Sequence, residues 1–334
     1  RDTDRSRGLG DVYKRQNHSR VAVLDPSKDA VTTRITERID ENRYFSVVKE
    51  LSSASDIETV FRHDEADIVV AFTPDFDANL STGEAGIQLV VDATDPNTGN
   101  MMAGYVQGIV GQALQSGTQS SPIVQTHLLF NPQMKSAYNF VPGVMGLILM
   151  LICAMMTSIS IVREKETGTM EVLLVSPIRP IFIILAKAVP YLVLSCVNLA
   201  TILLLSVYVL HVPVEGSLWT LSFLSLLLIA VALSLGLLIS CVVQNQVAAM
   251  IVSGMGLMMP VMLLSGMIFP IESMPAVLQW ISNIIPARWY IQAVKKVMIE
   301  GLGMAAVWHE ALILSGMAAL LIGLSLKKFK ERLE

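Results

Sequence analysis

The sequence predicts an α-helical polytopic membrane protein with an α/β domain at its N-terminal end. Three observations predict it. Hydrophobic residues make up 53% of the 334-residue chain and charged residues only 16%, where a soluble chain carries about 25%. Charge is also unevenly placed: residues 17–136 hold 8 Lys/Arg against 16 Asp/Glu, whereas residues 137–326 hold 7 Lys/Arg in 190 positions. Finally, five segments of the second part are long and apolar enough to cross a bilayer, which takes about 20 residues for a core of ~30 Å. The same figures exclude other classes. A disordered chain is poor in apolar residues, three cysteines do not make a disulfide scaffold, and a net charge of −4 gives no case for nucleic-acid binding.

Residues 1–16 show no apolar periodicity and no hydrophobic run. A signal peptide needs an apolar core of about 7–15 residues, so this is not one. The stretch resembles a translated sequencing-adapter read-through and is set aside as a non-native artefact; a basic tail is the alternative.

Residues 17–122 read as a small α/β domain. Val21 to Asp25 is a short apolar run ended by Pro26, as in a buried strand. Residues 27–44 are polar and helical, with Val31, Ile35 and Ile39 four apart. Residues 46–51 form a second strand. Residues 55–66 form a helix with Ser55 as N-cap and Glu58 three residues later. Residues 67–73 are a strand ended by Pro74, and residues 86–93 a further strand that ends at a turn-rich stretch, Asp95 to Asn100. Residues 101–114 predict a helix, and residues 116–122 a linker. Residues 123–136 are expected to lead the chain into the membrane. No catalytic constellation stands out. Asp92 and Asp95 beside a turn are weak evidence for a metal, because turn-forming aspartates are the commoner case. His18, His63 and His127 are isolated.

The predicted spans are residues 137–162, 188–212, 218–243, 247–269 and 310–326. Orientation follows from Lys/Arg in the short loops. Arg163, Lys165, Arg179 and Lys187 follow the first span, and Lys327, Lys328, Lys330 and Arg332 form a tail, 327–334, after the fifth. Five alternating spans put both sets on one face, read as cytoplasmic. The acidic domain then lies outside the membrane. An outside domain must be translocated, so a first transmembrane helix is expected to precede residue 17, giving six spans with both termini cytoplasmic.

The segment Arg163 to Pro177 reads REKETGTMEVLLVSP. It closely resembles the E-K-E-x-G-T-x-E-x-L-L-x-S/T-P element of ABC-2 type transporter permeases, the membrane subunits of ATP-binding-cassette exporters. Further matches follow in order. Phe130, Asn131 and Pro132, then Asn139 to Gly143, resemble the start of the family's second span. Lys187 with Pro190 and Tyr191 resembles the start of its third. Leu264 to Pro270, then Pro275, Ile285 to Trp289, Glu300 and Gly301 resemble the outer segment between its last two spans. Val91 to Thr94 and Pro74 to Phe76 look like the large extracytoplasmic domain of one subfamily. The resemblance runs from about Val21 to the end. It implies the ABC-2 permease fold, with the first of six spans missing from this chain.

The physics of the loop agrees with the ATPase-coupling role that the resemblance implies for Arg163, Glu164, Lys165, Glu166, Gly168, Thr169, Glu171, Leu173, Leu174 and Pro177. Gly168 can adopt φ > 0 and break a helix. Thr169 can cap a new one, with Glu171 favoured by the dipole in its first turn. Met170, Leu173 and Leu174 then make one apolar stripe, and Pro177 ends it. A plain interfacial helix with solvated charges is the competing reading.

Outer segment 270–309 holds Pro270, Pro275 and Pro286 together with Trp280, Trp289, Tyr290 and Trp308, aromatics of the kind that settle at the water interface. Residues 277–285 and 289–299 are apolar but too short to span. They read as two re-entrant or interfacial helices that close an outer gate, with Pro270, Pro286, Arg288 and Trp289 as gate residues. Span 247–269 is rich in methionine, and Met255, Met258, Met259 and Met262 are candidates to face substrate; packing on lipid or on other helices is the favoured alternative. Gly254 and Gly256 allow close helix approach. Gln244 to Gln246 make a short polar turn, Asn198 lies within a span, and Glu310 sits at a span edge.

The sequence contains no G-x-x-x-x-G-K-S/T phosphate loop. The expected function is therefore a permease without enzymatic activity or cofactor of its own. The resemblance implies that ATP and Mg²⁺ are bound by a partner ABC ATPase subunit. The other expected partners are a second permease, alike or paralogous, membrane lipids and a periplasmic adaptor. Amphiphilic drugs or lipids are the cargo by analogy alone, and the bacterial inner membrane is the location. An ion-driven carrier is disfavoured by the scarcity of intramembrane carboxylates, and a membrane-anchored receptor by the number of spans.

Overall fold

The computed structural model describes residues 19–114, 122–168 and 180–331. The chain divides into two units, residues 1–136 and 137–334.

The first unit is a five-stranded mixed sheet of order β2-β1-β3-β4-β5. Its elements are β1 (Ser19–Leu24), α1 (Ala30–Glu41), β2 (Phe45–Leu51), α2 (Ser55–Arg62), β3 (Ile68–Phe72), α3 (Phe76–Thr82), β4 (Gly86–Asp92), α4 (Pro96–Leu114) and β5 (Ile123–Leu129). β1 runs parallel to β2 and β3; β3 and β4 are antiparallel; β4 and β5 are parallel. Strand residues alternate between two cores, as the period of two requires. Val21, Val23, Ile68, Val70, Ile87 and Leu89 meet Ile35 and Ile39 of α1 and Val106 and Val110 of α4 on one face. Ala22, Val69 and Val90 meet Val60 and Phe61 of α2 on the other. Arg20 of β1 bridges Asp64 and Asp67, both at 2.6 Å, and ties the sheet to the turn before β3.

Several elements differ from the sequence reading. Ser55 is the first helical residue of α2 rather than its cap. Ala54 holds the cap position, and the Ser53 N–H donates to the Asp56 carboxylate at 3.1 Å. α3 was absent from the sequence reading, because seven residues show no period beyond the buried pair Phe76 and Leu80. α4 starts at Pro96, so the turn-rich stretch is its first turn. Asp95 accepts from the Asn97 N–H at 3.0 Å, and Pro is favoured at a first helical position for the same reasons that it favours turns. Asp92 likewise holds a turn, accepting from the Thr94 N–H at 2.8 Å. The region expected to lead into the membrane instead contributes β5, in register with β4 from Gly86↔Ile123 to Asp92↔Leu129. β5 is an edge strand without alternating burial, so it carries no period-two signal. The predicted linker falls largely on residues 115–121, outside the described residues.

The second unit is helical: α5 (Ala137–Glu166), α6 (Pro180–Tyr208), α7 (Leu218–Val242), α8 (Gln246–Leu264), α9 (Ala276–Ser282), α10 (Pro286–Met298) and α11 (Trp308–Glu331), with a 3₁₀ turn at Ile271–Ser273. Among the described residues five helices, α5, α6, α7, α8 and α11, are long and apolar enough to cross a membrane. α5 and α7 form the centre. A Cβ on Gly236 would lie 2.6 Å from the Ala154 carbonyl and 2.8 Å from the Thr157 Cβ, so glycine is what lets these helices close. α8 stops at Leu264 instead of running to 269, because Gly266 takes φ +81 and turns the chain back.

Candidate functional site

At one end of the helical unit, the last turn of α5 meets the junction of α7 and α8. The Lys165 ammonium donates to the Ser240 carbonyl near the end of α7. One carboxylate oxygen of Glu166 accepts from the Gln246 backbone N–H at 2.9 Å, and the other from the Gln246 side-chain amide. Asn245 caps α8, its side chain accepting from the Ala248 N–H at 2.7 Å. Gly168 takes φ +71, as a break after α5 requires. Arg163 and Glu164 are on the same last turns. Thr169, Glu171, Leu173, Leu174 and Pro177 lie outside the described residues.

At the opposite end, α9 and α10 form a corner. Pro286 opens α10. The Arg288 guanidinium donates to the Gln279 carbonyl at 3.3 Å and to the Ser282 hydroxyl at 3.2 Å, and lies 5.1 Å from the Trp289 ring centre. Trp289 donates its indole N–H to the Asn283 carbonyl at 3.0 Å. Ser282 in turn donates to the Leu264 carbonyl at 2.5 Å, joining the corner to the end of α8. Pro270 starts the 3₁₀ turn between them. Three of the four predicted gate residues therefore sit in one corner, and Pro270 in the turn leading to it. The Glu215 N–H donates to the Met298 carbonyl at 2.9 Å, so the loop between α6 and α7 belongs to this same end.

α10 packs inside the bundle against α5, α7 and α11. One of its faces is fully buried, from Ala287 and Tyr290 to Val297 and Met298. The Tyr290 hydroxyl shares a 2.8 Å hydrogen bond with Ser225 of α7. Two motif pieces that are far apart in sequence also meet. Asn139 donates to the Met267 carbonyl at 3.4 Å, and a Cβ on Gly143 would lie 2.3 Å from the Met267 side chain. Sequence reasoning missed the ion pair of Lys296 with Glu310, 3.0 Å apart and largely buried. A carboxylate opening an apolar helix, fourteen residues after a lysine, was the available signal. Glu310 sits in the first turn of α11, at the span edge as expected, and is only 6% exposed.

Met255, Met258 and Met259 are exposed on α8, Met255 at 73%, together with Met250 and Ile251, and Met262 is half-buried. α6 likewise exposes Val189, Val193, Val197 and Leu204. The helices that enclose α5 and α7 thus carry wide apolar outer faces.

These features agree with the comparisons to known proteins. Residues 10–327 match the family described as ABC-2 family transporter protein. The chain is similar to the probable multidrug ABC transporter permease YbhS of Escherichia coli strain K12, 37% identical over 257 residues that cover 75% of this chain and 68% of the relative. It is similar to the probable multidrug ABC transporter permease YbhR of the same strain, 29% identical over 296 residues, 87% and 80% of the two chains. The inner membrane transport permease YhhJ of that strain is 28% identical over 331 residues, 94% and 86% of the two chains. With five helices able to span among the described residues and a family match that covers residues 10–327, the chain belongs to the ABC-2 transporter family and is a permease of that type.

Proposed function

We propose that this chain is the membrane subunit of an ATP-driven exporter in a bacterial inner membrane, energised by a separate ATPase subunit. The match over residues 10–327 carries this reading. The partner holds ATP and Mg²⁺, since the sequence contains no phosphate loop. Two permeases, alike or paralogous, line the path. Amphiphilic drugs or lipids are the cargo; two of the relatives named above are described as probable multidrug permeases.

The end of the bundle that carries Lys165 and Glu166 faces the cytoplasm in this reading, because Lys/Arg concentrate there and in the tail. The α9–α10 corner and the acidic sheet domain then lie on the outer side. ATP-dependent closure of the ATPases pushes on the segment 163–177. The movement passes along α5 and α8, and the corner at Arg288 and Trp289 opens or closes the outer exit. No bond in the cargo is broken here. The ion-driven alternative is less favoured, since the buried Glu310 is already matched by Lys296.

Co-purification tests the partner. The permease, expressed with an ABC ATPase encoded beside it, is expected to hold that ATPase through affinity purification in detergent. Purification of the permease alone, with every neighbouring ATPase left behind, contradicts the reading.

A further inference from the structure

We propose that Lys165 and Glu166 are positioning residues that grip the α7–α8 junction and carry loop movement into α8, rather than contacts that dock the ATPase. The inference rests on the exporter reading above. Adjacent residues of opposite charge hold opposite helix ends. Lys165 meets the Ser240 carbonyl, among the last carbonyls of α7, where the dipole leaves negative charge. Glu166 takes the N–H of Gln246, the first residue of α8, where the dipole leaves positive charge. Each charge is on the end that stabilises it, and both oxygens of Glu166 are occupied within the chain.

The grip continues inward. Val162 of α5, Val243 and Ala249 pack as one buried cluster with Ile159, Ile239 and Ala248. Ser158 of α5 donates to Ser253 of α8 at 3.3 Å. The end of α5 and the first two turns of α8 are therefore joined by charge, by packing and by a hydrogen bond. α8 is the helix with the exposed methionine face. A push on the segment 163–177 is thus delivered to a helix whose exposed methionine face is a candidate to meet cargo.

The test measures transport per ATP hydrolysed, in proteoliposomes holding the permease and its ATPase. Glu166→Ala is expected to bind the ATPase as the natural protein does and to hydrolyse ATP. Its transport per ATP is expected to fall on the order of fivefold or more, the usual scale of coupling between sites. Gln246→Ala is expected to do the same. The exchange Glu166→Gln with Gln246→Glu keeps an acceptor for the backbone N–H and restores the side-chain pair. It is expected to recover coupling that Glu166→Gln alone loses. An unchanged ratio in Glu166→Ala overturns the proposal, as does loss of ATPase binding, which would make Glu166 a docking contact. Where Glu166→Ala fails to accumulate, the exchange decides: no recovery over Glu166→Gln overturns the clasp. Failure of the natural permease to bind any ATPase sinks the exporter reading itself, a result distinct from all of these.

Discussion

Lys296 and Glu310 hold the inserted helix to the last span. The Glu310 side chain is 8% exposed, and its second oxygen has no hydrogen-bond partner among the described residues. Removing one member of a buried pair costs about 3–5 kcal/mol, whereas replacing both with apolar residues is often neutral. Lys296→Met is therefore expected to shorten the half-life of the detergent-solubilised protein sharply. Lys296→Met with Glu310→Leu is expected to restore most of it. An equal loss in single and double variants would show that packing, not charge, holds α10 in place. In the sheet unit, Asp92 behaves differently. Burial pushes its carboxyl up to about 6; Thr94 opposes this, and Asp67 and Asp64 add to it. The folded state thus holds its proton more tightly than the unfolded chain, so stability falls as pH rises from about 4 through 6. Asp92→Asn keeps the acceptor for Thr94 and removes that loss. It is expected to raise the urea midpoint of the sheet unit at pH 8 and to leave it unchanged at pH 4; a lower midpoint at pH 8 would refute the assignment.

At the scale of elements, the strands buried on both sides and the long apolar helices were legible, because each carries a run or a period. β3 is buried at all five positions, and α7 is mostly apolar and carries no charged residue. The elements that escaped notice share a cause. β5 and α3 are short and lack a period, and α4 begins in residues that also form turns. The β5 assignment has a direct check. Leu128 is half-buried against the core of the first face, so Leu128→Asp places a charge where a linker would tolerate it and a strand would not. It is expected to unfold the sheet unit at lower urea, by about 2 kcal/mol or more on the scale of other buried-polar changes. Unaltered unfolding would return residues 123–129 to a linker. The two ends of the bundle were half legible. Sequence singled out Lys165, Glu166, Arg288 and Trp289 by type and motif, but their partners Ser240, Gln246, Gln279 and Ser282 are 6–80 positions away. No local pattern encodes those pairings.

Across the whole molecule, the proposed arrangement has the acidic sheet unit outside the cell and the Lys165–Glu166 end inside. Ser81 is exposed on α3, so a cysteine placed there should react with a membrane-impermeant maleimide on intact spheroplasts. Protection until the membrane is broken would reverse the orientation. Export itself is the central claim, and reconstitution reads it most directly. Proteoliposomes holding this permease and its ATPase, loaded with ATP on the ATPase side, are expected to move a fluorescent amphiphile across the bilayer. The movement should stop when a hydrolysis-deficient ATPase replaces the active one and persist when ion gradients are collapsed. Transport that survives without ATP hydrolysis, or vanishes with the ion gradient, would contradict the account.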